Sequence, residues 1–507
     1  MLLRFTFLVQ ILAVQSTPER AGSTPTVVYV SPNGNDNADG KSPSTALATC
    51  AGAVREIKSL AAEKIPAGGV EVRFAAGSYA LTPTTTCGDL ANVHATIESP
   101  VILSGAGAHS SSGEVTFFDA TSQLDATLLR PISSPAIASL INPTARGKVL
   151  ELNISVSSGY SGGQLLWNGV PLIPSVWPNT GLGYVRRVFD AGAVYAQGRT
   201  KGPPPRCHVC LGSNKSTPEN PCGGNISLAE QPGGDWAAEL AAGPGFGSVT
   251  LSGYLNNDWY HESHRVVRVV RSSTNTSVQF ASYSRYGICE ALEPHGPCGG
   301  SAPGRFRVSG LLSEVDNPGE YWYNKQTRML YIYPPPAHGT SLPVGTNVDL
   351  GFPLGPQLIS LTNSSWVTVR DVAVSGSTQT VMSVTGGSHN TIGGCVISGS
   401  RGGVSLAGGY SHRVLGNDIY DVGGHIDTVG NPQDGLHNLV PTNNLIANNH
   451  LTQVHLRGTW QIRVRGMGDR FSHNLIHDAA GQVMLPGEFG VCVCVREAEW
   501  GMRAGES

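Results

Sequence analysis

The sequence is short of charge. Asp, Glu, Lys and Arg make up 14% of its 507 residues, against roughly 25% in an ordinary soluble domain. That disfavours a coiled coil, whose Ala, Glu, Lys, Leu and Arg content would be near half, and a long charged disordered chain. Charge of one sign is also lacking. The formal net charge is −3, which argues against nucleic-acid binding driven by bulk charge. Beyond the N-terminus no apolar run approaches the roughly 20 residues needed to cross a bilayer. From Gly351 to Gly487 there is no Lys and no Glu, although seven Asp and eight His occur there. What is plentiful is Gly, 64 residues, with 33 Pro. Gly-rich, charge-poor and turn-rich composition predicts many short strands, an all-β chain.

Met1–Ser16 (MLLRFTFLVQILAVQS) has one Arg, then an apolar stretch, then small residues. This is the pattern of a secretory signal peptide ending at residue 16. Two further features agree with a secreted, extracellular location. Five N-x-S/T sequons occur, at Asn153, Asn214, Asn225, Asn275 and Asn363, each usable for glycosylation only if exposed. Ten Cys would be oxidised there. Cys207, Cys210 and Cys222 cluster, and Cys289 lies near Cys298. No second C-x-x-C stands at a zinc-finger spacing, so disulfides are expected rather than a metal.

Along the chain, Val27–Val30 reads as a strand and Ser31–Pro43 as a turn-rich loop. Gly40-Lys41-Ser42 is not a phosphate loop, because Gly34 stands one residue too far upstream. Asn35, Asn37 and Asp39 are not a calcium loop, since Ala46 occupies the place of the final Glu. Ala51, Val54, Ile57 and Leu60 recur at three-residue steps, which predicts a capping helix over Ala48–Lys64. Residues 27–144 are read as N-terminal coils with this helix, and 145–350 as an inserted antiparallel β domain in which strand-like runs alternate with Gly, Pro and Asn turns.

Residues 351–487 repeat. Val369–Val374, Ile392–Ile397, Val414–Ile419, Ile446–Leu451 and Phe471–Ile476 align, each with apolar first and sixth residues. A recurrence every 20–50 residues without a helical period predicts a β-helix, one coil per repeat. The fourth column holds Asn417, Asn449 and Asn474, which predicts an internal amide ladder. The longest interval carries an extra loop near Gly423–Pro441.

YVSPNGNDNADGKSPSTALATCAGAVREI resembles the opening of right-handed parallel β-helix proteins of the pectin-lyase-like superfamily. LIPSVWPNTG, GYLNNDWY and LLSEVDNPGEYWYNKQTRMLYIYPP are similar to the insertion domain of glycoside hydrolase family 141-like proteins. VLGNDIYDVGG, NNLIANNHL and DRFSHNLIHDAAGQV resemble that family's coils. The resemblance implies a right-handed parallel β-helix with an inserted antiparallel β domain, acting on a polysaccharide or oligosaccharide. It departs at Val176, where the family commonly has Arg, and after Gly487, where more coils are expected. Residues 488–507 are off-pattern, and the expectation is a truncation or a gene-model artefact.

Glycoside hydrolysis needs two carboxyl groups across the scissile bond. Asp421 and Asp478 fall in one column, with Gln453 between them. Two rungs separate their backbones by about 9.6 Å, near the roughly 6.5–9.5 Å of inverting enzymes. They are the candidate catalytic pair. His425, Asp427, Gln453 and His477 are the candidate sugar-binding residues. Both Asp also suit a turn after a strand. No His spacing suggests a metal, and no cofactor is expected. A lyase would need a base other than Lys here, leaving Arg463 or Arg465. The expected function is glycoside hydrolysis. Glycan binding without catalysis, and polysaccharide lysis, are the alternatives.

Overall fold

The computed structural model describes residues 23–109, 114–155, 159–190, 224–242, 249–256, 260–282, 284, 287–290, 303–336, 348–424, 426–429, 440–454, 460–464, 466–479, 482–486 and 492–494. Within these the chain is mostly strand. Three parallel sheets run side by side, and the chain visits them in turn.

The first sheet runs from Thr26–Val30 through Val70–Phe74, Val101–Ser104 and Val367–Arg370 to Cys492–Cys494. The second runs from Gly77–Ala80 through Thr116–Asp119, Ala373–Ser375, Val396–Ser398, Asp418–Tyr420 and His450–Val454 to Leu475–Ala479. The third runs from Gly88–Asp89 through Ile359–Thr362, Thr380–Thr385, Gly402–Ala407, Ile426–Val429 and Trp460–Val464 to Gln482–Pro486. Each circuit of three strands is one coil of a parallel β-helix.

The repeat columns explain why the coils stack. First-column residues Val369, Ile392, Val414, Ile446 and Phe471 pair in register down the first sheet. Sixth-column residues Val374, Ile397, Ile419, Leu451 and Ile476 do so down the second. Both columns face one continuous core. Each fully buried Val, Ile or Leu contributes roughly 1.5–3 kcal/mol. Because the side-chain period in a strand is two, the fifth column and the residue after the sixth face outward.

Polar ladders line the corners between sheets. Asn417 Nδ2 donates to Asn449 Oδ1 at 2.9 Å, and Asn449 Nδ2 to Asn474 Oδ1 at 2.8 Å. Backbone N–H groups of Cys395, Asn417 and Asn449 donate to the next rung's Oδ1 at 2.9–3.0 Å. Asn449 also donates to Val414 O at 3.0 Å, so its amide is satisfied although it is buried. This is the predicted ladder. A second one, between the third and first sheets, uses mixed residues. Asn390 N donates to His412 Nδ1 at 3.3 Å, His412 N to Asn444 Oδ1 at 3.0 Å, and Asn444 N to Asp469 Oδ1 at 2.9 Å.

Helix α1 (Cys50–Glu63) closes the N-terminal end. Thr49 caps it, accepting from Gly52 N at 3.0 Å. Asp36 ties the preceding loop to the cap, accepting from Ala48 N and Thr49 N at 2.8 and 2.9 Å. A disulfide joins Cys50 to Cys87. Cys395 is a buried free thiol.

Within one coil, after second-sheet strand Thr116–Asp119 and before third-sheet strand Ile359–Thr362, the chain leaves the helix. Thr121–Leu124 pairs antiparallel with Leu350–Pro353, and the intervening chain forms antiparallel sheets with their own cores. Trp177 and Trp322 are 8% and 4% exposed and belong to these cores. Trp259 lies outside the described residues. Glu239, Glu314 and Glu320 are also buried. Glu320, from the Pro-Gly-Glu-Tyr stretch, accepts from Asp316 N and Asn317 N at 3.0 and 2.9 Å, so this motif residue holds a turn. No described helix is long and apolar enough to cross a membrane.

Candidate functional site

The outward face of the second sheet carries a run of polar side chains among the described residues. Its fifth-column residues are Ala373, Val396, Asp418, His450 and Leu475, in register. The next outward column holds Ser375, Ser398, Tyr420, Thr452 and His477. Phe117, Ala373, Val396, Ser398, Asp418 and Tyr420 line a groove of about 280 Å³. His109 also lines it, so apolar and polar side chains are mixed along the groove, which suits a ring with a hydrophobic face and hydroxyl edges.

From Asp418 four side chains form a line. His450 Nδ1 stands 3.0 Å from Asp418 Oδ1, a contact of proximity outside the angle of an aligned hydrogen bond. His450 Nε2 and His477 Nε2 are 2.7 Å apart, and His477 Nδ1 is 3.3 Å from Thr452 Oγ1. The rings stack with centroids 5.0 Å apart. A carboxylate only accepts, so His450 carries its proton on Nδ1 and Nε2 accepts. His477 then donates from Nε2 and accepts the Thr452 hydroxyl at Nδ1. These tautomers are assigned from the Asp418 charge beside Nδ1 and from the His450–His477 hydrogen bond. The line is directional and could pass a proton between its two ends.

The predicted carboxylates belong to the next register position. Tyr420, Thr452 and His477 share a register, so Asp421, Gln453 and Asp478 follow one residue on. Asp421 leaves its strand with φ +52°, the left-handed conformation of a turn. Gln453 and Asp478 belong to strands His450–Val454 and Leu475–Ala479, and their side chains lie outside the described residues. His477 is exposed on the same face. Asp427 is on the third sheet, in register with Ser405 and Arg463, and so is not brought to this face. His425 and Arg465 lie outside the described residues.

Asp418, His450, Thr452 and Tyr420 were not singled out from the sequence. The signal for Asp418 and His450 was the fifth repeat column, where they interrupt an otherwise apolar series.

Among the sequons, Asn153 and Asn363 are exposed, and Asn225 and Asn275 are half-buried. Asn214 lies outside the described residues. Among the described residues no group of three or more His, Cys, Asp or Glu could hold a metal ion.

Residues 357–497 match the family model described as a right handed beta helix region. No curated protein matches the sequence. A solved structure named "Glycoside hydrolase" aligns with 88% of this chain and 79% of its own, at 13% identity and a TM-score of 0.52. At that identity the likeness is one of fold. Another, "The complex structure of XylC with xylose", aligns with 88% of this chain and 69% of its own, at 8% identity and a TM-score of 0.23, too low to carry an argument. The chain is a right-handed parallel β-helix protein with an antiparallel β insertion, and its fold resembles that of a glycoside hydrolase.

Proposed function

We propose that this is a secreted, carbohydrate-active protein that seats a glycan on the outward face of the second sheet and hydrolyses its glycosidic bonds. The carrying observation is the meeting of the groove with the Asp418–His450–His477–Thr452 line. Asp421 and Asp478 occupy the register position after Tyr420 and His477, two rungs apart. In this reading they share the acid and base roles, with Gln453 and His477 holding the sugar. The fold likeness to a glycoside hydrolase supports the substrate class.

The test is release of reducing ends from a polysaccharide panel by the full chain and by Asp421→Asn and Asp478→Asn. Each substitution is expected to lower turnover by about 10²–10⁴-fold, the usual contribution of a general acid or base, with the fold retained. Full activity in both variants removes the pair.

A second reading is glycan binding without hydrolysis. The observation favouring it is the left-handed turn at Asp421, a structural use for that carboxylate. Binding on a glycan array without release of reducing ends would select it. An unsaturated, ultraviolet-absorbing product would instead indicate a lyase.

A further inference from the structure

A separate constellation lies in the antiparallel insertion. Glu262 and His264 stand two residues apart on strand Glu262–Arg271, so both project from the same side of it. Ser282 follows the neighbouring strand, Thr276–Phe280, which pairs antiparallel with the first. His264 Nδ1 is 2.7 Å from Ser282 Oγ. His264 Nε2 is 3.1 Å from Glu262 Oε2. The buried Ser284 hydroxyl shares its proton between the other carboxylate oxygen, Oε1, at 2.6 Å and Gly287 O at 2.7 Å.

Burial divides the three residues by role. His264 is 3% exposed and Glu262 9%, and the imidazole packs on Phe280 with centroids 4.9 Å apart. Ser282 is exposed. Ionised Glu262 only accepts, so the ring proton belongs on Nε2 and the Nδ1 lone pair faces the serine hydroxyl. The Nε2 contact is close but not aligned as a hydrogen bond. Such contacts commonly tighten only when substrate is bound. A nucleophile within reach of a base, and the base held by a third group, is the general signature of covalent catalysis.

We propose that Ser282 is an activated nucleophile and that Ser282, His264 and Glu262 hydrolyse acyl esters. Ser282 Oγ attacks the ester carbonyl carbon, the carbonyl π pair moves to oxygen, and the hydroxyl proton passes to His264 Nδ1. The tetrahedral centre then re-forms its carbonyl and expels the alcohol, which leaves with that proton. Water attacks the acyl-serine, His264 again takes and returns a proton, and the acid leaves with Ser282 restored. Glu262 stays ionised and stabilises the imidazolium. The exposed position of Ser282 suits short acyl groups such as acetyl, which need no deep pocket.

The test uses no sugar, so it stands or falls apart from the glycan reading. The full chain is assayed for p-nitrophenyl acetate hydrolysis, and separately treated with a fluorophosphonate and mapped by peptide mass spectrometry. The expected result is turnover and an adduct on Ser282, both reduced by about 10²-fold or more in Ser282→Ala, an exposed change that removes one oxygen. Glu262→Gln, which retains an acceptor for Ser284, should slow turnover at an unchanged melting temperature. An unmodified Ser282, or equal hydrolysis by the Ser282→Ala protein, overturns the proposal and leaves a structural hydrogen-bond cluster.

Discussion

His450 and His477 stack on adjacent rungs of the second sheet with their Nε2 atoms 2.7 Å apart. Two imidazoles can meet in this way only if one donates and the other accepts. The Asp418 carboxylate beside His450 Nδ1 sets which ring does which. Asp418→Asn removes that control. A part-exposed contact of this kind is worth no more than an exposed ion pair, about 0–1 kcal/mol, so the variant should fold. Turnover of a polysaccharide substrate should fall at least about tenfold, as general acid–base groups are normally worth more than that. Steady-state kinetics beside a thermal melt checks both halves.

Asn449 links both sides of the corner ladder. Asn449→Ala takes the acceptor from Asn417 Nδ2 and leaves a void, with unsatisfied buried groups costing about 1–3 kcal/mol each. The expected destabilisation is about 2–4 kcal/mol, read by urea denaturation. Because coils contact mainly their neighbours, exchange protection should fall most in the coils holding Asn417 and Asn474.

His412 and the insertion's buried carboxyls should give opposite pH dependences. Burial, reinforced by the nearby His389, holds His412 at about 4, against an ordinary value of 6.5. Between those values the unfolded chain binds a proton that the folded chain refuses. Its contribution is therefore present above pH 6.5 and lost as pH falls toward 4, up to about 3 kcal/mol. His412→Asn should flatten this slope. Burial, with help from neighbouring carboxylates, raises Glu314 to about 7 and Glu320 to about 8. Their contributions are present below about pH 4.5 and lost as pH rises through 7 and 8. Hydrogen exchange corrected for intrinsic rates should show the insertion loosening from pH 5 to 8.5, less so in Glu314→Gln and Glu320→Gln.

The Cys50–Cys87 bond spans a sequence separation of 37 and fastens helix α1 to the first coils. In the chain-entropy account a loop of that size is worth about 3–4 kcal/mol. Replacing both residues with Ala should lower the urea midpoint accordingly. Reductant should have no further effect on that step.

Much of the β-helix was legible because stacking imposes a column on each position. Val369 and Val374 begin two apolar columns that face the core, and Asn417 begins a ladder of identical residues, so periodicity exposed all three. The second ladder was hidden because Asn390, His412, Asn444 and Asp469 do the same work with different side chains. At the site, Asp421 and Asp478 could be aligned by counting from Tyr420 and His477, whose columns pair through Thr452. The contact between His450 and His477 is diagonal, joining the fifth column of one coil to the residue after the sixth of the next. No single column contains it. Asp427 was expected near this face as a loop residue, but its chain enters the third sheet beside Ser405. In the insertion, Glu320 stood out as part of a motif, yet its burial depends on contacts distant in sequence.

The central claim is that sugar occupies the outer face of the second sheet. Diethyl pyrocarbonate labelling of individual His residues tests it most directly. The probe would be an oligosaccharide cut from the polysaccharide that the full chain hydrolyses or binds. His109, which lines the groove, and His450 and His477 beside it should lose labelling when it is added, while His94 and His473, exposed outside the strands of the second sheet, should label as before. Equal labelling of His450 and His477 with and without the sugar would contradict the claim.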